Sequence, residues 1–294
     1  MSATTELPPD VRALYPFAPH WLETSAGRIH YADEGARDAD TAIICVHGNP
    51  TWSFMYREAI KALSPKYRVL AIDHLGCGMS DKPQNFSYRL ADHIENLAKL
   101  VGTVSQPKLH FIVHDWGGAI GSAVAERFAG RVGKLVVMNT AAFAGPCPWR
   151  IRICRWPLLG PLLVRGLNGF AGTAAFMAVA RPLPATVKRG YLWPYRSWHD
   201  RIAVQRFVED IPLEPGHPSL PALRGLEADL VKLKNKPMLI GWGMRDFCFT
   251  PGYLTEWRKR FPAATVCEFP DAGHYLLEDA GTKFIPQIAE FFAR

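Results

Sequence analysis

The sequence predicts an α/β fold: a mostly parallel sheet with helices on both faces, interrupted once by an inserted helical cap. Three observations predict it. Short apolar runs alternate with stretches of helical spacing through the first half of the chain, the order of parallel strands joined by crossover helices. That order breaks near Phe143 and resumes near Pro237. The strand-like runs end in clusters of Gly, Asp, Asn and His, and open α/β sheets gather ligands at the carboxyl ends of their strands.

Residues 1–19 are expected as an N-terminal tail. Met1 to Asp10 is polar and contains proline, without the basic start and apolar stretch of a secretion signal. Residues 20–143 make the first part of the core. Residues 20–24 and 28–33 pair as a hairpin turned at Ala26-Gly27. Residues 42–46 form a short buried strand ending in His47-Gly48-Asn49-Pro50, and residues 53–63 follow with helical spacing. Residues 68–72 form a strand ending in Asp73-His74-Leu75-Gly76-Cys77-Gly78-Met79-Ser80. A helix over 90–104, a strand leading to Asp115, a helix to Phe128 and a strand over 134–138 ending at Asn139 continue the pattern. Residues 144–235 are rich in Pro, Gly, Trp and Arg, with helix-like pieces and no strand, and are read as the cap. Residues 236–294 complete the core with a strand over 237–242, a helix near 253–260, a last strand over 265–269 and a terminal helix.

At 294 residues and 48% apolar the chain can fill one large core. It has no run of about eighteen apolar residues, so no membrane-spanning helix is expected. Its six cysteines are scattered, with no C-x-x-C pair, which fits reduced thiols in a cytoplasmic protein. The net charge of +7 is concentrated: Trp149 to Arg206 holds ten Lys or Arg against one acid, Asp200. No nucleic-acid motif accompanies these cations, so no nucleic-acid partner is expected. Apolar runs at 156–164 and 170–180 lie in the same segment, a combination that suits a partner protein or an anionic membrane surface. A location peripheral to the inner membrane follows as an expectation. Metal-ligand spacings and a Gly-rich phosphate loop are both missing, and no cofactor is implied.

The chemistry is carried by residues 109–119. An apolar strand runs through His114-Asp115-Trp116-Gly117-Gly118 into a helix, the context in which a strained strand-to-helix elbow presents a nucleophile. The elbow residue is Asp115, where serine is the common choice. A carboxylate there can attack carbon and later leave as an ester oxygen. His274, in Asp271-Ala272-Gly273-His274 after the last strand, is the candidate general base. Asp246, in Trp242-Gly243-Met244-Arg245-Asp246, would fix the tautomer of that histidine. Taken singly, these are a helix-capping aspartate, a loop histidine and a turn aspartate. Their chain order of nucleophile, acid and histidine, each after a strand, favours a triad. The backbone N–H groups of Asn49 and Trp116 suit an oxyanion hole, and their side chains add donors for a departing halide or carboxylate.

His47-Gly48-Asn49-Pro50-Thr51-Trp52-Ser53, residues 73–80 and His114-Asp115-Trp116-Gly117-Gly118 together resemble the haloalkane dehalogenase family. The resemblance runs from about His20 to Phe292 and implies the α/β-hydrolase fold with an eight-stranded sheet. Residues 138–143 carry no acid, Asn49 is not glutamate, and the acid falls at Asp246, which is similar to the third subfamily. Within it, residues 139–143, Pro194-Tyr195, Ser197-Trp198, Phe207-Val208, Asp210-Ile211-Pro212-Leu213 and residues 245–249 resemble the β-lactone decarboxylases of long-chain olefin biosynthesis. The resemblance implies a small hydrophobic substrate, a pocket that includes Asn139, Phe143, Trp193 and Phe247, self-association, and association with other olefin-biosynthesis enzymes.

Two reactions share this machinery. A cis-3,4-dialkyl β-lactone would yield a cis-alkene and carbon dioxide, and a 1-haloalkane would yield alcohol and halide. The sequence leaves open whether Asp115 attacks the ring carbon or the carbonyl. A serine esterase is disfavoured because Ser53 and Ser80 lie on other loops. Tyr191 and Tyr195 keep an epoxide hydrolase in view, and a non-catalytic binding protein on this fold is the remaining alternative.

Overall fold

The computed structural model describes residues 6–294. Its eight strands are β1 (His20–Thr24), β2 (Gly27–Glu34), β3 (Thr41–Val46), β4 (Arg68–Ile72), β5 (Lys108–Asp115), β6 (Val132–Thr140), β7 (Met238–Gly243) and β8 (Thr265–Phe269). They form one sheet in the order β1-β2-β4-β3-β5-β6-β7-β8. β2 pairs antiparallel with β1 and β4; the pairs from β4 through β3, β5, β6 and β7 to β8 are parallel.

Sequence explains this order. All six residues of β3 and of β7 are buried, as parallel strands covered on both faces require. Successive side chains of β3 enter opposite layers. Ala42, Ile44 and Val46 join the core on one face, and Ile43 and Cys45 join the core on the other. On the first face lie α3 (Leu90–Gly102) and α4 (Trp116–Arg127), whose Leu97, Val101, Ile120 and Val124 pack on Phe111 and Val113. On the second lies α2 (Arg57–Leu63), and later the C-terminal helix.

The N-terminal segment departs from its expected role as a tail. Residues 1–5 lie outside the described residues, but α1 (Pro9–Leu14) is packed, with Val11 and Tyr15 fully buried. Val11 and Tyr15 are four residues apart and share one helix face. The Tyr15 hydroxyl lies 2.6 Å from Ser53 Oγ.

Between β6 and β7 the chain forms no strand among the described residues. It carries α5 (Trp149–Ile153), α6 (Leu159–Pro161), α7 (Ala171–Met177), α8 (Ala185–Leu192), α9 (Ile202–Glu209) and α10 (Leu220–Asp229). After β7 come α11 (Pro251–Arg260), α12 (Leu276–Asp279) and α13 (Gly281–Ala293). Specific polar contacts seat the inter-strand segment on the sheet. The Trp52 indole N–H donates to Gly190 O at 3.0 Å, the Asn49 amide to Val204 O at 3.1 Å, and the Leu90 N–H to Asp210 Oδ2 at 2.7 Å.

One buried ion pair joins three elements. Arg57 of α2 donates twice to Glu278 of α12, at 2.6 and 2.8 Å, and Tyr191 of α8 donates to the same carboxylate at 2.6 Å. Both charged side chains are less than a tenth exposed. Removing one partner would leave the other charge buried without compensation. Glu278→Ala is therefore expected to cost about 3–5 kcal/mol in urea unfolding. A loss below about 1 kcal/mol, the range of exposed pairs, would show that the pair does not tie these elements.

Candidate active site

Asp115 is the last residue of β5 and immediately precedes α4. Its backbone stands at φ 53° and ψ −129°, a conformation that L residues rarely adopt. The β5–β6 register shifts between His114 and Asp115, which turns the aspartate out of the ladder. Thr140 Oγ1 donates to the Asp115 carbonyl and holds the turn.

The side chain of Asp115 is buried and met by donors. The Asn49 N–H donates to Oδ1 at 2.6 Å, and the Trp116 N–H also favours the ionised form. His274 Nε2 lies 3.6 Å from Oδ2. Burial pushes the Asp115 carboxyl above its ordinary value; His274 and the two backbone N–H groups oppose the shift without cancelling it.

Behind His274 stands Asp246. His274 Nδ1 donates to Asp246 Oδ2 at 2.8 Å. The same oxygen accepts from Asn139 Nδ2 at 3.0 Å, and Oδ1 accepts from the Cys248 N–H at 2.7 Å. Burial alone would lower the pKa of His274, but the charge and hydrogen bond of Asp246, joined by Asp115, raise it above 6.5. Phe249 covers the imidazole, its ring stacked at 5.7 Å.

A cavity of about 240 Å³ opens onto these groups. Asn49, Asp115, Trp116 and His274 line one end of it, and most of the remaining wall is apolar. Phe143 and Phe247 also line it. Two residues expected in the pocket stand elsewhere. Asn139 lies behind Asp246, where it also bonds both the N–H and the carbonyl of Gly243. Trp193, the residue that follows α8, packs in the second core layer, 6.1 Å from the Trp52 ring. The Asn49 side-chain amide, expected as an anion donor, is engaged by Val204 O.

Three cysteines that the sequence did not place in the pocket line it, Cys147, Cys154 and Cys248, the last of them within the 245–249 segment already noted. Their spacing carries no pattern, and the fold alone brings them together. Among the described residues no group of three or more His, Cys, Asp or Glu is placed to hold a metal ion. Chemically, the arrangement offers a recessed carboxylate, an imidazole backed by a second carboxylate, and backbone donors beside the first.

The model of the alpha/beta hydrolase fold family matches residues 41–176 and 193–281, and the chain belongs to that family. It is 40% identical, over 95% of its length and 89% of the relative's, to cis-3-alkyl-4-alkyloxetan-2-one decarboxylase of Shewanella oneidensis. It is 32% identical to haloalkane dehalogenase 2 of Mycobacterium tuberculosis, covering 95% of this chain and 96% of that one. Its fold is similar to the crystal structure of haloalkane dehalogenase DbeA from Bradyrhizobium elkani, with a TM-score of 0.84 at 23% identity, covering 94% and 98% of the two chains.

The placement of Asn139 has a measurable consequence. A hydrogen bond to a charged group is worth about 1.5–3 kcal/mol, and this one steadies the carboxylate that orients His274. Asn139→Ala is expected to lower kcat/KM roughly tenfold to a hundredfold, with a displaced pH profile. An unchanged profile and rate would show that Asp246 needs no support from Asn139.

Proposed function

We propose that this protein decarboxylates cis-3-alkyl-4-alkyl-oxetan-2-ones, giving a cis-alkene and carbon dioxide. The observation that carries the reading is its 40% identity to a decarboxylase of that name over nearly the whole chain, against 32% to a dehalogenase of equal coverage. The apolar cavity ending at Asp115 supports a substrate with alkyl arms. In this reading residues 144–235 act as a cap over the site.

Asp115 attacks the ring carbon that bears the ring oxygen. A carbon–oxygen bond to Asp115 forms, the ring carbon–oxygen bond breaks, and the electron pair departs on the ring's own carboxylate. Carbon dioxide is then lost from the neighbouring carbon. The released pair forms the alkene as the bond to Asp115 breaks, and the aspartate is restored. No water or proton is consumed. Attack with inversion followed by anti departure converts a cis-lactone into a cis-alkene. The Asn49 and Trp116 N–H groups and the cationic form of His274 stabilise the carboxylate charge as it moves.

Dehalogenation is the second reading, favoured by the fold likeness and by the same triad geometry. There, halide departs and His274 activates water against the alkyl ester. Self-association and contact with other enzymes of olefin biosynthesis belong to the proposal as well.

The deciding experiment offers the protein a synthetic cis-3,4-dialkyl β-lactone and a set of bromo- and iodoalkanes, with alkene, alcohol and halide measured. Efficient formation of cis-alkene is expected, and Asp115→Ala should lose it while remaining folded. Halide release faster by orders of magnitude, with no alkene from the lactone, would make dehalogenation the function. Intact-protein mass spectrometry of His274→Phe separates the two routes further. A bromoalkane should leave a stable alkyl adduct, because its release needs water. The lactone should leave none, because loss of carbon dioxide frees Asp115. A lasting lactone adduct would count against the water-free route.

A further inference from the structure

We propose that the face formed by residues 149–198 docks on an anionic membrane surface, from which the cavity draws its substrate. The identity of the substrate rests on the function proposed above; the docking itself does not.

Of the ten large apolar side chains exposed among the described residues, nine lie between Trp149 and Trp198. Isolated exposed apolar residues are ordinary, but such a concentration marks an interaction surface. Leu158 is the extreme case. It is 89% exposed at the tip of a three-residue turn closed by the Leu159 N–H on Pro157 O at 2.7 Å. Its φ of 64° and ψ of −50° are strained for leucine, and glycine would relieve the strain. Stability within the chain does not account for a leucine there; contact with something apolar does.

Cations are interleaved with these side chains. The Arg150 guanidinium lies 5.3 Å over Trp149, Arg165 lies 4.6 Å over Trp198, and Lys188 Nζ lies 3.6 Å over Phe176. Arg155, Arg189 and Arg206 are paired with carboxylates. Arg150, Arg152, Arg165, Lys188 and Arg196 form no ion pair among the described residues, so their charge is available to an anionic partner. Aromatic rings with basic heads beside them suit the boundary between acyl chains and headgroups.

The cavity opens within this face. Arg150 and Met177 are exposed and line it, and their neighbours Trp149 and Phe176 are 65% and 63% exposed. A dialkyl substrate dissolved in a bilayer would meet the cavity at its source without crossing water. The contact proposed is peripheral, since no helix of the described residues is long and apolar enough to cross a membrane.

The test is co-sedimentation of the full chain with phosphatidylglycerol–phosphatidylcholine vesicles and with phosphatidylcholine vesicles, at low and high salt. Binding to the anionic vesicles is expected, weakening as salt rises. The pairs Trp156→Ser with Leu158→Ser, and Arg152→Glu with Arg196→Glu, should each cut binding by at least about tenfold. Circular dichroism melts of both variants should match the parent. A water-soluble short-chain lactone should be turned over at the parent rate, and a long-chain lactone held in anionic vesicles far more slowly. Vesicle binding without lactone turnover would sink the functional reading and leave the docking standing. Failure of the parent to bind anionic vesicles would overturn the docking. So would equal binding by the variants, or substitutions that abolish self-assembly while vesicles are ignored, which would assign the face to protein contacts.

Discussion

The whole site depends on one backbone position. Asp115 is held at φ 53° and ψ −129°, where a non-glycine residue carries strain of order 1–3 kcal/mol. The strain lifts its carboxylate off the end of β5 and places it against the loop after β3. That approach leaves no room for side chains at two neighbours. A Cβ on Gly48 would collide with Asp115 Oδ1, and one on Gly117 with the Val46 carbonyl. The side-by-side pairing of β3 and β5, and the close packing of α4 over them, are thus the conditions under which an aspartate can stand at the elbow at all.

Electrostatics sharpen the contrast between two buried aspartates. Asp73, at the end of β4, receives His30 Nδ1 at 2.8 Å and the N–H groups of Ser53 and Met79 at 2.7 and 2.9 Å. Burial works against its charge, yet His30 and these donors bring its pKa below the ordinary value. Asp115 has fewer donors, and burial prevails in the upward direction. A carboxylate so satisfied is an anchor for two loops. One left short of donors retains reactivity. The nearby histidines do not supply the missing charge: burial lowers the pKa of His47, His74 and His114, which keeps them neutral. They serve as hydrogen-bonding struts, as when the His74 N–H donates to His47 Nε2 at 2.9 Å.

Strand bounds were legible at the edges and in the centre of the sheet alike. The edge strands β1 and β8, which hold no fully buried residue, coincide with residues 20–24 and 265–269, marked by the turn residues beside them. β3, β4 and β7, which read as short apolar runs, differ from the expected spans by a residue at most. The elbow was legible because its small residues follow an apolar strand directly. The helix α1 was not, because a Val and a Tyr among prolines and charges make one contact face too small to register. Trp193 and Asn139 show a different limit. Residue type marks a side chain as apolar or polar, but the direction in which a helix or strand end points it is settled by packing. For Trp193 that is contact with Trp52, and for Asn139 a left-handed φ of 32° that turns it towards Asp246.

The cavity poses a chemical problem if its substrate is a strained lactone, since thiols attack such electrophiles readily. Cys147, Cys154 and Cys248 all line its wall. A thiol reacts as its thiolate, and an apolar surrounding disfavours that anion. Burial pushes all three above the ordinary thiol range, and for Cys248 the charge of Asp246 adds to the effect. The same burial that raises Asp115 therefore silences the sulfurs, but the outcomes differ. Burial disfavours both anions, but a carboxyl starts from near 4 and a thiol from near 9, and the N–H groups of Asn49 and Trp116 and the nearby His274 oppose the shift at Asp115. Selectivity for Asp115 then comes from the medium as much as from position: one low-dielectric wall works against every anion, and the donors that offset it are aimed at the carboxylate.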